Sequence, residues 1–213
     1  MSQHAQNHSG YQFTSDWFSH NINGLTAIIE YVKPTRILEV GSFEGRSTVF
    51  FLEEALKYQA EVEIFCIDSW EGSAEHQGVW NMGEVESRFH HNIQLAQSRF
   101  PQGRIHTLRG YSHPKMIELL AQGFAGYFDY IYIDGSHEAP DVLFDALLAH
   151  RLVRQGGIIS FDDYLWSPDA DGAQNHYMLV KPAVDHYVNT YQQKLSVVQM
   201  LPLYQLHVIK LQD

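Results

Sequence analysis

Short β-rich runs alternate with longer helical stretches through most of this chain, and that alternation is the pattern of a parallel sheet with helices packed on it. The runs fall at 36–41, 62–68, 104–109, 127–134 and 157–162. Between the first two, 47–58 carries Val49, Leu52, Ala55 and Leu56 at helical spacing. Between the fourth and fifth, 141–153 does the same with Val142, Leu143, Ala146, Leu147 and Val153. Arg154-Gln155-Gly156-Gly157 then reads as a helix stop and turn. Further helices are expected over 84–100 and over 14–31, the latter folding across the sheet edge. Two late runs, 195–201 and 205–211 with Pro202 between them, predict a terminal antiparallel pair. With 213 residues, 45% of them apolar, and no linker-like tract, the chain predicts one domain over 1–213, with a helical cap at about 11–33.

Charge and cysteine usage remove several function classes. Acidic residues outnumber basic ones 25 to 14, a formal charge of −11, which disfavours nucleic acid because binding it needs a Lys/Arg face. The one cysteine, Cys66, excludes an intrachain disulfide and a cysteine-built zinc site, and its apolar neighbours predict a buried thiol. The first 20 residues are polar and no 18-residue apolar stretch occurs, so a cytoplasmic protein without membrane association is expected. The Tyr and Phe content suits a core or a homo-oligomer interface equally well.

The first β-run leads through Glu39-Val40-Gly41-Ser42-Phe43-Glu44-Gly45-Arg46-Ser47 directly into a helix. A glycine turn there lets backbone approach a ligand at a helix N-terminus, although the same turn also occurs without one. A dinucleotide G-x-G-x-x-G needs glycine where Phe43 and Arg46 stand, and a P-loop needs Gly-Lys in place of Arg46-Ser47. What remains is E-x-G-x-x-x-G. It resembles the first motif of class I S-adenosylmethionine-dependent methyltransferases, in which the acidic residue lies near the methionine amino group and the loop passes beneath the cofactor.

Two more strand ends extend the resemblance. Asp68 closes the second run 29 residues after Glu39, the span of one βαβ unit, where a carboxylate can accept both ribose hydroxyls. Trp70 is placed either to stack on adenine or to fill the core or a lid. After the third run comes Gly110-Tyr111-Ser112, and Ser112 resembles the serine facing adenine in small-molecule O-methyltransferases. The cofactor set implied is Glu39, Gly41, Ser42, Gly45, Ser47, Asp68, Ser69, Trp70, Gly110, Ser112 and Asp134.

The fourth run ends Asp134-Gly135-Ser136-His137 and the fifth Phe161-Asp162-Asp163-Tyr164. In the sheet order that the resemblance implies, these strands are neighbours and would gather three carboxylates, and two like charges ~4 Å apart repel by about 4 kcal/mol at an effective dielectric near 20. A hard divalent cation such as magnesium, calcium or manganese relieves this, as does a spread-out arrangement in which Asp162-Asp163 merely caps a turn. The pattern is similar to the metal-assisted branch of the family, the catechol-type enzymes and the bacterial macrocin- and cephalosporin-tailoring subgroup. By position that similarity makes Asp134, Asp162 and Asp163 the metal ligands. His137 is the candidate general base, with substrate orientation and a structural role as alternatives.

The resemblance implies a Rossmann-like class I methyltransferase fold: a seven-stranded, mostly parallel α/β sheet of order 3-2-1-4-5-7-6 with helices on both faces. The activity it implies is methyl transfer from S-adenosylmethionine to a small-molecule hydroxyl. A lid is expected at 69–100, with Trp80, Tyr164 and Trp166 as walls of the acceptor site. Rival readings are metal-independent N- or O-methylation through His137, a non-catalytic cofactor-binding module, and a nicotinamide dehydrogenase, the last weakened by the missing glycines.

Overall fold

Consecutive apolar residues along a strand need cover on both faces, and the central strands of this chain have it. In the computed structural model, which describes residues 10–73, 76, 78–200 and 203–213, β1 (Arg36–Val40) and β4 (Phe128–Ile133) are buried at nearly every position. With β2 (Val62–Asp68), β3 (Gly103–Arg109), β5 (Val153–Phe161), β6 (Leu195–Val198) and β7 (Leu206–Lys210) they form one sheet of order β3-β2-β1-β4-β5-β7-β6. The first five strands run parallel and β7 pairs antiparallel with β5 and β6, as the resemblance implied.

The period-2 geometry of the strands splits the core in two. Leu38, Val40, Ile131 and Ile133 pack under α4 (Ser112–Ala121), α5 (Ala139–Leu152) and α6 (Val180–Thr190). Ile37, Ile64, Tyr130 and Tyr132 pack under α1 (Ile22–Val32), α2 (Arg46–Ala55) and α3 (Met82–Arg99). Helices therefore cover both faces. None of the described helices is long and apolar enough to cross a membrane.

Several expected boundaries move, each for a physical reason. The N-terminal helix starts at Ile22 after a 3-10 turn, Ser19–Asn21, and not at residue 14. The chain before it is held extended by side chains that compete for its backbone: Gln12 N donates to Asn92 Oδ1 (2.7 Å) and Thr14 N to Glu44 Oε2 (2.6 Å). α1 also lies on a face of the sheet, sharing a cluster with Ile37 and Ile158, and not across its edge. The turn expected at 154–157 is a bulge inside β5. Pairing jumps from Phe128↔Val153 to Tyr130↔Ile158, and Gly156 takes φ +74° to absorb the extra residues. α4 and α6 were not among the expected segments; each carries a proline, Pro114 or Pro182, that is tolerated because it sits in the first turn. Of the expected late run 195–201, only 195–198 is strand, and Leu201 and Pro202 lie outside the described residues.

Candidate active site

Backbone hydrogen bonds bring the carboxyl ends of β1 to β5 to one level. Gly41 N donates to Ile67 O (2.8 Å), Gly110 N to Asp68 O (2.8 Å), Asp134 N to Val40 O (2.8 Å) and Asp162 N to Ile133 O (2.9 Å). Strand order reverses between β1 and β4, the position at which open α/β sheets bind ligands. A cavity of about 1430 Å³ opens there, large enough for a nucleoside cofactor beside a second small molecule.

The floor of the cavity is the turn after β1. Gly41 has φ +85°, and a Cβ on it would stand 1.9 Å from the Asp134 carbonyl oxygen, so only glycine lets β1 and β4 end side by side. Gly45, at φ +79°, precedes α2 and abuts the Phe89 ring, and it is not among the residues lining the cavity. Asp68 fixes the turn: its Oδ2 accepts from Ser42 N and Phe43 N (both 2.9 Å) and its Oδ1 from Trp70 N (2.7 Å). Three bonds leave room for about one more on a carboxylate with roughly four acceptor positions. Ser42, Ser47, Asp68, Ser69, Gly110, Ser112 and Asp134 all border the cavity.

Besides Gly45, two more residues expected at the cofactor are elsewhere. Glu39 is fully buried beneath the turn, its Oε2 accepting from Ser42 Oγ (2.6 Å) and from the Thr48 hydroxyl. Its Oε1 has no hydrogen-bond partner among the described residues, and burial pushes its pKa up. Trp70 packs against Phe89 (4.7 Å between centroids) and donates Nε1–H to Phe43 O (2.9 Å), so it is a core residue bracing the turn. The expected lid also divides. α3 is a structural layer with Val85, Phe89, Ile93 and Ala96 buried, and among the described residues of the expected lid Ser69, Gly72, Ser73, His76, Val79, Trp80 and Met82 border the cavity. Trp80 and Trp166 do line it; Tyr164 is buried and donates to Asp185 (2.6 Å).

Asp134, Asp162 and Asp163 converge as expected, but in unlike settings. Asp134 opens partly to the cavity, and its pKa is driven well up by burial first and then by the charges of Asp162, Asp163, Glu39 and Asp68. Asp162 is buried and pushed up to about 6, by burial and then by Asp163. Asn21 Nδ2 donates to both its oxygens (3.1 and 3.0 Å), Gln205 Nε2 to Oδ1 (3.0 Å), and the Tyr132 hydroxyl to Oδ2. Asp163 sits at φ +53°, and its Oδ2 lies 2.9 Å from His137 Nε2; the Trp166 ring covers the imidazole at 4.3 Å.

This is not the expected three-aspartate metal centre. Asp162 already has N–H and O–H donors on both oxygens, and Asp163 faces a histidine. Among the described residues no group of three or more His, Cys, Asp or Glu is arranged to hold a metal ion. The donor set as it stands does not fit a resident cation, whereas the excess negative charge at the edge suits a positively charged organic ligand.

Sequence reasoning missed three contributors. Asn21, 141 residues from Asp162, gave no signal. Nor did Gln205. Asp145 of α5, buried and within hydrogen-bond reach of Ser112, is pushed up to about 7 chiefly by burial, and His113 Nε2 lies 3.6 Å from its Oδ1.

Residues 38–164 match the family model described as a methyltransferase domain. The O-methyltransferase hkm8 of Aspergillus hancockii is 32% identical over 135 residues, 62% of this chain and 43% of that protein. The caffeoyl-CoA O-methyltransferase of Populus kitakamiensis is 25% identical over 142 residues, 67% of this chain and 52% of its own. The chain spans about half the length of the curated relatives it matches. Among solved structures, the O-methyltransferase TomG from Streptomyces achromogenes in complex with SAM superposes with a TM-score of 0.62 at 15% identity, covering 95% of this chain and 82% of that one. The O-methyltransferase from Bacillus cereus in complex with SAH gives 0.60 at 15% identity, over 94% and 83%. At such identities the likeness is one of fold.

Proposed function

The chain belongs to the methyltransferase domain family, and on that premise we propose that it transfers the methyl group of S-adenosylmethionine to a hydroxyl of a small molecule, with His137 as base. The observation that carries this reading is the convergence of a ligand-ready glycine turn, held by Asp68, with a His137–Asp163 pair in the wall of one cavity.

When bound, the cofactor supplies a methyl carbon made electrophilic by its positive sulfur. Gly41, Ser42, Ser47, Asp68, Ser69, Gly110, Ser112 and Asp134 are the residues to hold it. Glu39, Gly45 and Trp70 act on it indirectly, by bracing the turn from below. Asp134 gains from a cationic ligand, because burial and then neighbouring carboxylates otherwise disfavour its charge. The imidazole of His137 takes the hydroxyl proton as the oxygen bonds to the methyl carbon and the carbon–sulfur bond breaks. Asp163, accepting from Nε2–H, orients the ring and stabilises the imidazolium. Trp166 covers the pair and limits its exchange with water.

Divalent-metal assistance is a second reading, favoured by one observation: Asp134 and Asp162 lie together at the cavity wall with their pKa values raised by burial and then by neighbouring carboxylates, and a cation would relieve the second of these. It requires Asp162 to give up the amides of Asn21 and Gln205. Methyl-transfer assays on a hydroxyl-bearing acceptor separate the two. The base reading expects His137→Ala to lose about 10²–10⁴ in kcat with S-adenosylhomocysteine binding intact, and EDTA-treated protein to stay within twofold of untreated. Loss of activity on chelation, restored by magnesium, overturns it in favour of the metal.

A further inference from the structure

One buried carboxylate stands directly behind the cavity wall. Asp145 of α5 is 1% exposed and does not line the cavity, whereas Ser112 and His113, which open α4, and Asp141, one turn earlier on α5, all do. Asp145 Oδ1 and His113 Nε2 face each other at 3.6 Å, and neither atom has a hydrogen-bond partner among the described residues. Asp141 Oδ1 stands 3.7 Å from the same nitrogen, and the Phe144 ring packs on the imidazole at 4.7 Å. The groups that act on Asp145 are the Ser112 hydroxyl, His113 and Asp141, with no lysine or arginine among the described residues. A buried carboxylate without a cation is costly, and an asparagine would fill the same space without the charge. What an amide cannot do is gain and lose a proton.

That proton has a consequence at the wall. A serine hydroxyl has one hydrogen to give and lone pairs to offer. With Asp145 ionised, the Ser112 hydroxyl donates inward to the carboxylate, and its lone pairs are what the cavity meets. With Asp145 protonated, the carboxyl O–H donates to Ser112 Oγ or His113 Nε2, and the Ser112 hydrogen is released to turn toward the cavity. Burial pushes this carboxyl up to about 7, against the pull of the Ser112 hydroxyl and His113 and with a further push from Asp141, so both forms are populated near neutrality. Asp141 adds a carboxylate at the same corner, which makes it rich in acceptors whenever Asp145 is ionised.

Resting on the methyl-transfer reading, with Ser112 toward the purine ring of the cofactor, we propose that Asp145 is a positioning residue: it turns the Ser112 hydroxyl to accept from the 6-amino group of that ring, and so sets a preference for a 6-amino purine over a 6-oxo one. A 6-oxo ring brings an oxygen to that place and meets lone pairs instead of a donor. The preference follows the ionised form of Asp145, so it is strongest above neutrality and fades as pH falls.

S-adenosylhomocysteine and S-inosylhomocysteine differ in this one substituent. Each is titrated calorimetrically into wild type, Asp145→Asn and Ser112→Ala between about pH 5.5 and pH 8.5, a range that spans the ionisation of Asp145. In the wild type the ratio of affinities, amino over oxo, is expected to rise about fivefold or more with pH, and in both variants to stay within about twofold. Titration of His20, His76 or His137, which also line the cavity, moves both ligands alike and drops out of the ratio. His113 remains in Asp145→Asn, so a ratio that still rises there assigns the effect to His113 and overturns the proposal. A flat ratio in the wild type overturns it as well, whatever the variants do. A wild type that binds neither compound defeats the methyl-transfer reading itself, whereas one that binds the amino compound with a flat ratio defeats only the role of Asp145.

Discussion

Asp68 and Asp162 both close parallel strands at the same sheet edge, yet they are held in opposite ways. Asp68 takes its bonds from backbone N–H groups of Ser42, Phe43 and Trp70, at most 26 residues away, and keeps an open side toward the cavity. Asp162 takes its bonds from the side chains of Asn21, Tyr132 and Gln205, which are 141, 30 and 43 residues distant, and is largely buried at the cavity wall. The first arrangement is local and builds a surface for a ligand. The second is long-range and ties the N-terminal cap and β7 to the sheet. One residue type at equivalent strand ends is therefore held by nearby backbone in one case and by distant side chains in the other.

Changes at either end sharpen this contrast. The largest effect is expected at the turn that Asp68 secures. Gly41→Ala puts a Cβ into the Asp134 carbonyl at a positive φ, and should cost about 3 kcal/mol or more in a denaturant melt. Next comes the tie at Asp162. Asn21→Ala removes both amide bonds to Asp162 and leaves a buried carboxylate under-satisfied, an expected loss of about 1–3 kcal/mol; an unchanged melt would mean the cap is not tied down this way.

A subtler effect belongs to Asp145, whose carboxyl is pushed up to about 7 by burial. Its folded pKa lies above the unfolded value near 3.8, so the native state holds its proton more tightly. The associated stability is full at low pH and is lost as pH rises through about 7. Asp145→Asn removes that loss, so its stability relative to wild type should climb between about pH 4 and pH 8. A flat difference across that range contradicts the assignment.

The same contrast explains what could be read from the chain in advance. Strand ends, the glycine turn and the alternation of elements were legible because they depend on neighbours within one βαβ unit: Glu39, Gly41 and Asp68 fall at spacings set by strand and helix lengths. Side-chain direction was not. Glu39 and Trp70 were expected to meet the cofactor, but the tight turn buries one and the Phe89 surface captures the other. The metal centre was inferred from three carboxylates in the right places, and nothing in the spacing could reveal that Asn21 and Gln205 would reach Asp162 first. No helix was placed over α4 or α6, each of which carries a proline, Pro114 or Pro182, in its first turn.

The central claim is that the turn after β1, held by Asp68, receives S-adenosylmethionine. Calorimetric titration of that compound into wild-type protein and into Asp68→Ala tests it most directly. One site in the wild type, weakened at least tenfold in the variant, is the predicted result; no binding to the wild type, or equal affinity in both, contradicts the account.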